Sequence, residues 1–274
     1  PRRFSELAGL SILPSSVWGP PENSADIMRK LSPVKAISHA FNSVLTYRSI
    51  AVRIGMFWIP VLFLLGVVEI LVGEPDLQNP QFGLPVLMQI VSAVVGLLGF
   101  CSMAVSWHRF ILRDEIGSPA RIDAPVLRYA GNSLLIMLIV VVPAVILLVL
   151  SQLVPALGVL LIVLSIAGGL IVTRLSVKLP AVALGNTDFG FRDAWKATTD
   201  NNWQLLGVFL LNAAVVFGAL VLLVIIAGII NAISPAAAQV FLLVADAVLK
   251  LFLKLFNASI FTSLYGFFVE RRDF

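Results

Sequence analysis

Six long apolar stretches run through the chain, near residues 54–72, 85–107, 132–151, 156–178, 204–231 and 237–267. A helix that crosses a bilayer needs about 20 mostly apolar residues, and each stretch has that length. The pattern predicts an all-α membrane protein with six transmembrane helices. The last two stretches exceed the minimum, so they predict tilted or protruding helices. Pro60 and Pro143 fall inside spans and predict kinks. The gaps at 152–155 and 232–236 are short enough to force antiparallel neighbours, so the spans read as three hairpins.

The polar gaps alternate in charge. Loops 73–84, 152–155 and 232–236 contain no Lys or Arg, whereas the other gaps and the two ends of the chain hold 17 of the 19 basic residues. Basic loops stay on the cytoplasmic side, so both termini are expected in the cytoplasm. Residues 1–33 read as a largely extended cytoplasmic arm preceding a transmembrane domain over 34–274. The arm has no sustained apolar core before a cleavage site, so no signal peptide is expected. Val34, Ile37, Phe41, Val44 and Leu45 recur at helical spacing beside Lys35, Arg48 and Arg53, as in an interfacial helix. Related stretches precede the third span (RIDAPVLRYAGNSLL) and the fifth (FRDAWKATTDNNWQLL), which suggests three hairpins, each with a surface helix in front. Trp58, Trp107, Tyr129, Trp195, Trp203 and Tyr265 flank the spans and read as interfacial aromatic belts.

Composition narrows the function classes. Of 274 residues, 59% are hydrophobic and 12% charged, which leaves no room for a separate soluble domain. The net charge of +4 is read as attraction to anionic lipid on the cytoplasmic side, with no nucleic-acid partner. Cys101 is the only cysteine, so neither an intrachain disulfide nor a thiolate cluster can form. No G-x-S-x-G, H-E-x-x-H or phosphate-loop motif occurs, so the chain is expected not to be an enzyme and to need no cofactor or metal.

The sharpest local feature is in the sixth span. Asp246, Lys250, Lys254 and Asn257 are spaced four, four and three residues apart, on one helical face. Glu69, near the outer end of the first span, could share the depth of Asp246. Charges at mid-bilayer are costly unless paired or hydrated. Three readings follow: a polar path, an Asp246–Lys250 pair facing the bundle or a partner with Lys254 snorkelling, or a sixth helix that begins only after residue 250. Arg174 and Lys178 share a face at the end of the fourth span and are candidates for lipid-phosphate contacts. Ser165, Gly169 and Thr173, and likewise Ser92 and Gly96, form small-residue stripes suited to close helix packing. His39 and His108 are expected at the membrane edge rather than facing each other around a haem.

The segments TRLSVKLPAVALGNTDFGFRDAWKATTDNNWQLL and SLYGFFVERR carry a resemblance. They are similar to a group of uncharacterised six-span bacterial inner-membrane proteins, commonest in alphaproteobacteria. More loosely they resemble membrane domains found beside glycerophosphodiester phosphodiesterases. The resemblance covers about half the chain, from residue 170 onward, and implies an architecture in the bacterial inner membrane without implying catalytic residues. Function is therefore expected to be that of a non-catalytic structural or accessory subunit packed against a larger membrane complex. The alternatives are a small transporter or channel along Asp246, Lys250 and Lys254, and, third, a lipid-headgroup enzyme.

Overall fold

The structure, a computed structural model, describes residues 29–73 and 83–273. Most of the arm expected over 1–33 lies outside the described residues, as does most of loop 73–84. Residues from Leu31 onward form one compact unit. The regular structure described in it is helical throughout.

Ser32 caps α1 (Pro33–Thr46), and Pro33 sits in the first turn, where its missing N–H costs nothing. A short α2 (Arg48–Gly55) leads into α3 (Trp58–Val72), with a bend of 52° between them. Pro60 therefore falls in the first turn of α3, and the kink expected inside the span is instead a break before it. Next come α4 (Leu84–Arg113) and α5 (Ala124–Leu153), followed by α6 (Gly158–Leu175). Two short helices, α7 (Lys178–Ala183) and α8 (Phe191–Ala197), precede α9 (Asn202–Ile233) and α10 (Pro235–Phe268). Five helical segments are long and apolar enough to cross a membrane, and the bent α2–α3 pair makes a sixth if counted as one span. The chain is a multi-pass membrane protein. A sixth helix beginning after residue 250 is excluded, because α10 is continuous from its Ser234 cap.

Helices α3 and α4, α5 and α6, and α9 and α10 pack as pairs. Further contacts of α4 with α5, α6 with α9 and α10 with α4 join α4, α5, α6, α9 and α10 into a ring. Helix α1 lies against α9 and α10. The stretch before the third span is not a separate surface helix. Asp123 caps α5 directly, its carboxylate accepting from the Val126 amide, and no break follows. Burial raises the pKa of this carboxyl, but bonds from Arg121 and Val126 outweigh it and hold it below its ordinary value.

The core is at one end. At 1.5 Å per residue, the 34 residues of α10 span about 51 Å and the 30 of α4 about 45 Å, against a hydrocarbon layer of about 30 Å. The largest fully buried side chains include Trp107, Tyr129, Phe256, Leu205 and Leu264. All belong to the end that carries Arg109, Arg113, Arg121 and Arg128. Helices this long exceed the hydrocarbon layer, and where a helix end projects into water the hydrophobic effect drives packing. In the lipid half no such drive exists, and long apolar side chains face outward, as over Leu134–Val154 of α5.

This arrangement corrects the aromatic belts. Trp58, Trp107, Tyr129 and Tyr265 are core residues, whereas Trp195 and Trp203 are exposed. It also corrects His108, which is buried rather than interfacial, because α4 continues past Trp107 to Arg113.

Close approach uses particular glycines. A Cβ on Gly99 would sit 2.9 Å from the Trp58 indole, which holds α3 against α4. Gly168 meets Val140 of α5, and Gly169 meets the Phe209 ring of α9. Thr173 is buried and donates to the Gly169 carbonyl. Ser165 is exposed, and Gly96 has open space above it. Gly99→Val is expected to cost about 2 kcal/mol, because the buried indole has nowhere to move. Thermal unfolding in detergent checks this, and the same substitution at Gly96 is expected to be near neutral.

Candidate functional site

Between α3, α4 and α10 lies a cleft of about 810 Å³ that runs from Glu69 and Gly73, at the end opposite the core, down to the core residue Met103. It gathers Glu69 from α3, Gln89 and Ser92 from α4, and Asp246, Lys250 and Lys254 from α10. The geometry follows from spacing. Residues 246, 250 and 254 stack on one face of a straight helix, and α3 and α4 flank that face. Counted from Pro235, Asp246 lies about 17 Å along α10 and Lys254 about 29 Å, so the α10 charges run from the middle of a layer about 30 Å thick toward its inner edge.

Lys250 Nζ is 2.6 Å from an Asp246 carboxylate oxygen, and the two side chains are 67% and 48% exposed. A pair so placed gains little against water. Facing acyl tails would cost each charge its solvation, so the arrangement suits a polar environment in the cleft. Leu62, Phe63, Met88, Leu243 and Leu251 form its apolar walls. The Ser92 hydroxyl is buried with no hydrogen-bond partner among the described residues.

Asn257 belongs elsewhere. Its amide accepts from Asn212 of α9 at 3.0 Å and donates to the Leu253 carbonyl, tying α9 to α10. Of the five residues expected on the charged face, four line the cleft and one bridges two helices. Ser92, expected in a packing stripe, lines the cleft too.

Arg174 turns inward and is 5% exposed. Its Nε donates to Thr198 Oγ1 at 3.1 Å, an Nη donates to the Trp195 carbonyl at 3.2 Å, and its guanidinium stacks 4.0 Å over the Trp195 ring. Lys178 lies 4.0 Å over the Phe191 ring. Arg174 thus ties α8 to the end of α6, and Lys178 ties it to the start of α7. The segment between them has its own local logic. Gly185 takes a left-handed φ of 80°, its N–H bonds to the Val182 carbonyl, and that of Asn186 bonds to Ala181, which closes α7. Asn186 then accepts from the Asp188 and Phe189 amides and turns the chain toward α8.

The histidines do not face each other. His108 Nδ1 is 2.7 Å from Thr262 Oγ1, and its Nε2 is 3.1 Å from the Tyr129 hydroxyl. Thr262 donates its own proton to the Ala258 carbonyl, so Nδ1 must carry the imidazole proton and Tyr129 donates to Nε2. Three helices meet in this knot. Sequence reasoning missed it, because nothing in the spacing relates residues 108, 129 and 262. His39 Nδ1 is 2.9 Å from Ser263 Oγ, and burial lowers its pKa. It lines a second cavity of about 600 Å³ with Arg113, Asp114, Arg272 and Asp273, a set of mixed charge. Among the described residues no group of three or more His, Cys, Asp or Glu is placed to hold a metal. No family model, no curated protein and no solved structure matches the chain.

Proposed function

We propose that the chain is a small transporter-class protein of the bacterial inner membrane, with the cleft along Asp246, Lys250 and Lys254 as its polar path. The observation that carries this reading is the gathering of four ionisable side chains, from two helices far apart in sequence, in one intramembrane cleft. The basic, packed end lies in the cytoplasm, by the bias of its Arg and Lys residues. The cleft then opens toward the opposite face. No reacting group is assigned, and the chain acts by binding and passage rather than by chemistry.

The test is access to water. In a Cys101→Ser background, single cysteines at positions 69, 246 and 254 are expected to react with a charged, membrane-impermeant thiol reagent in sealed vesicles. A cysteine at Val248, which is 62% exposed and outside the cleft lining, is expected not to react. Labelling at position 69 alone would sink the path.

The accessory-subunit reading has one observation in its favour: Trp203 is 81% exposed at the packed end, with Trp195 also exposed in the same region. Stoichiometric co-purification with a larger complex, lost in Trp203→Ala, supports it. A lone protein in gently solubilised membranes counts against it.

A further inference from the structure

We propose that the cleft binds the head group of a zwitterionic phospholipid, with phosphate held by Lys250 and Lys254 and the head-group cation facing Asp246 and Glu69. This rests on the polar-path reading and names its substrate class. The first argument is charge. The cleft brings together two formal cations and two formal anions, so its net formal charge is zero. A ligand that complements it must carry both signs, as a phosphate joined to an ammonium does. An inorganic anion or an anionic lipid would satisfy the lysines and leave two carboxylates unanswered.

The second argument is polarity. The cleft walls are apolar on both flanks, through Leu62 and Phe63 of α3, Met88 of α4 and Leu243 and Leu251 of α10. Such walls suit acyl chains and offer nothing to a fully hydrated solute. A ligand with a polar head and apolar tails fits both surfaces together. The pair itself is open to exchange. The Asp246–Lys250 contact at 2.6 Å joins side chains that are 48% and 67% exposed, so an incoming head group can exchange partners with it without displacing packed side chains. Phosphate takes the lysine and ammonium the carboxylate, so the number of ion pairs does not fall.

The test uses the full chain in phosphatidylcholine vesicles with trace acyl-labelled fluorescent reporters of phosphatidylethanolamine, phosphatidylcholine or phosphatidylglycerol. Dithionite, added outside, bleaches a reporter once it reaches the outer leaflet. The two zwitterionic reporters are expected to cross at least about fivefold faster than the anionic one, a difference of about 1 kcal/mol. Glu69→Gln combined with Asp246→Asn leaves a cationic cleft and is expected to reverse that order. Equal rates for all three reporters in the wild type would overturn the proposal, as would a double variant that keeps the wild-type order. If no reporter crosses while a cysteine at position 254 is labelled, the lipid assignment falls and the polar path stands. If neither occurs, both fall.

Discussion

Replacing His108 with Ala is expected to cost about 4 kcal/mol of stability, the largest effect of any single change considered for this chain. Two terms combine. The first is a cavity, since the imidazole is fully buried among α4, α5 and α10. The second is polar. The Tyr129 hydroxyl, itself buried, loses the Nε2 acceptor and finds no water to replace it. Thr262 loses less, because its own proton remains bonded to the Ala258 carbonyl. A detergent-titration unfolding curve measures the total. A double-mutant cycle separates the terms: His108→Leu leaves Tyr129 unsatisfied, and adding Tyr129→Phe removes that group. The pair is expected to be less destabilised than the sum of the singles by about 1–2 kcal/mol. Strict additivity would mean that the hydrogen bond contributes nothing and that His108 acts by volume alone.

Why this knot was invisible in the sequence, while the spans were plain, is a matter of range. A span is a local property: twenty apolar residues announce a helix in lipid whatever surrounds them. The charged face at 246, 250 and 254 was legible for the same reason, since one helix fixes its spacing. That Glu69 and Gln89 complete a cleft with it depends on how α3 and α4 sit against α10, which no local pattern states. The usual preference of His, Trp and Tyr for interfaces puts the residues near 107 and 129 at the membrane edge, and helix length overrides it. Because α4 and α10 are about 15–20 Å longer than the hydrocarbon layer is thick, they have length to spare for packing in water, where an aromatic side chain is core. The small-residue stripes divided on a similar point. Gly169 meets a ring from α9, whereas Gly96 meets nothing, and only the arrangement of helices distinguishes them. The break before α3 could have been anticipated. Pro60 favours the first turn of a helix over its interior, so a start near residue 58 suits it better than one at 54.

Arg174→Met is expected to destabilise the packed end by about 3 kcal/mol, from two charge-assisted hydrogen bonds and one cation–π contact. Methionine keeps most of the apolar stem, so the loss reports the guanidinium rather than a void. The Thr198 hydroxyl keeps its donation to the Ala194 carbonyl, and the Trp195 carbonyl keeps the Thr199 hydroxyl, so neither partner is stranded. What is lost is the tie between α6 and α8. Limited proteolysis locates the effect: the segment 185–190, between α7 and α8, is expected to be cut faster in the variant, with the spans untouched. Arg174→Lys sharpens the argument. An ammonium can reach one of the two acceptors and sits less well over an indole, so lysine is expected to restore less than half of the loss. If Arg174 instead served a lipid phosphate, lysine would restore nearly all of it, the protease pattern would not change, and the deficit would appear only when anionic lipid was present. The inward geometry, with both acceptors on the protein and the residue 5% exposed, favours the first outcome.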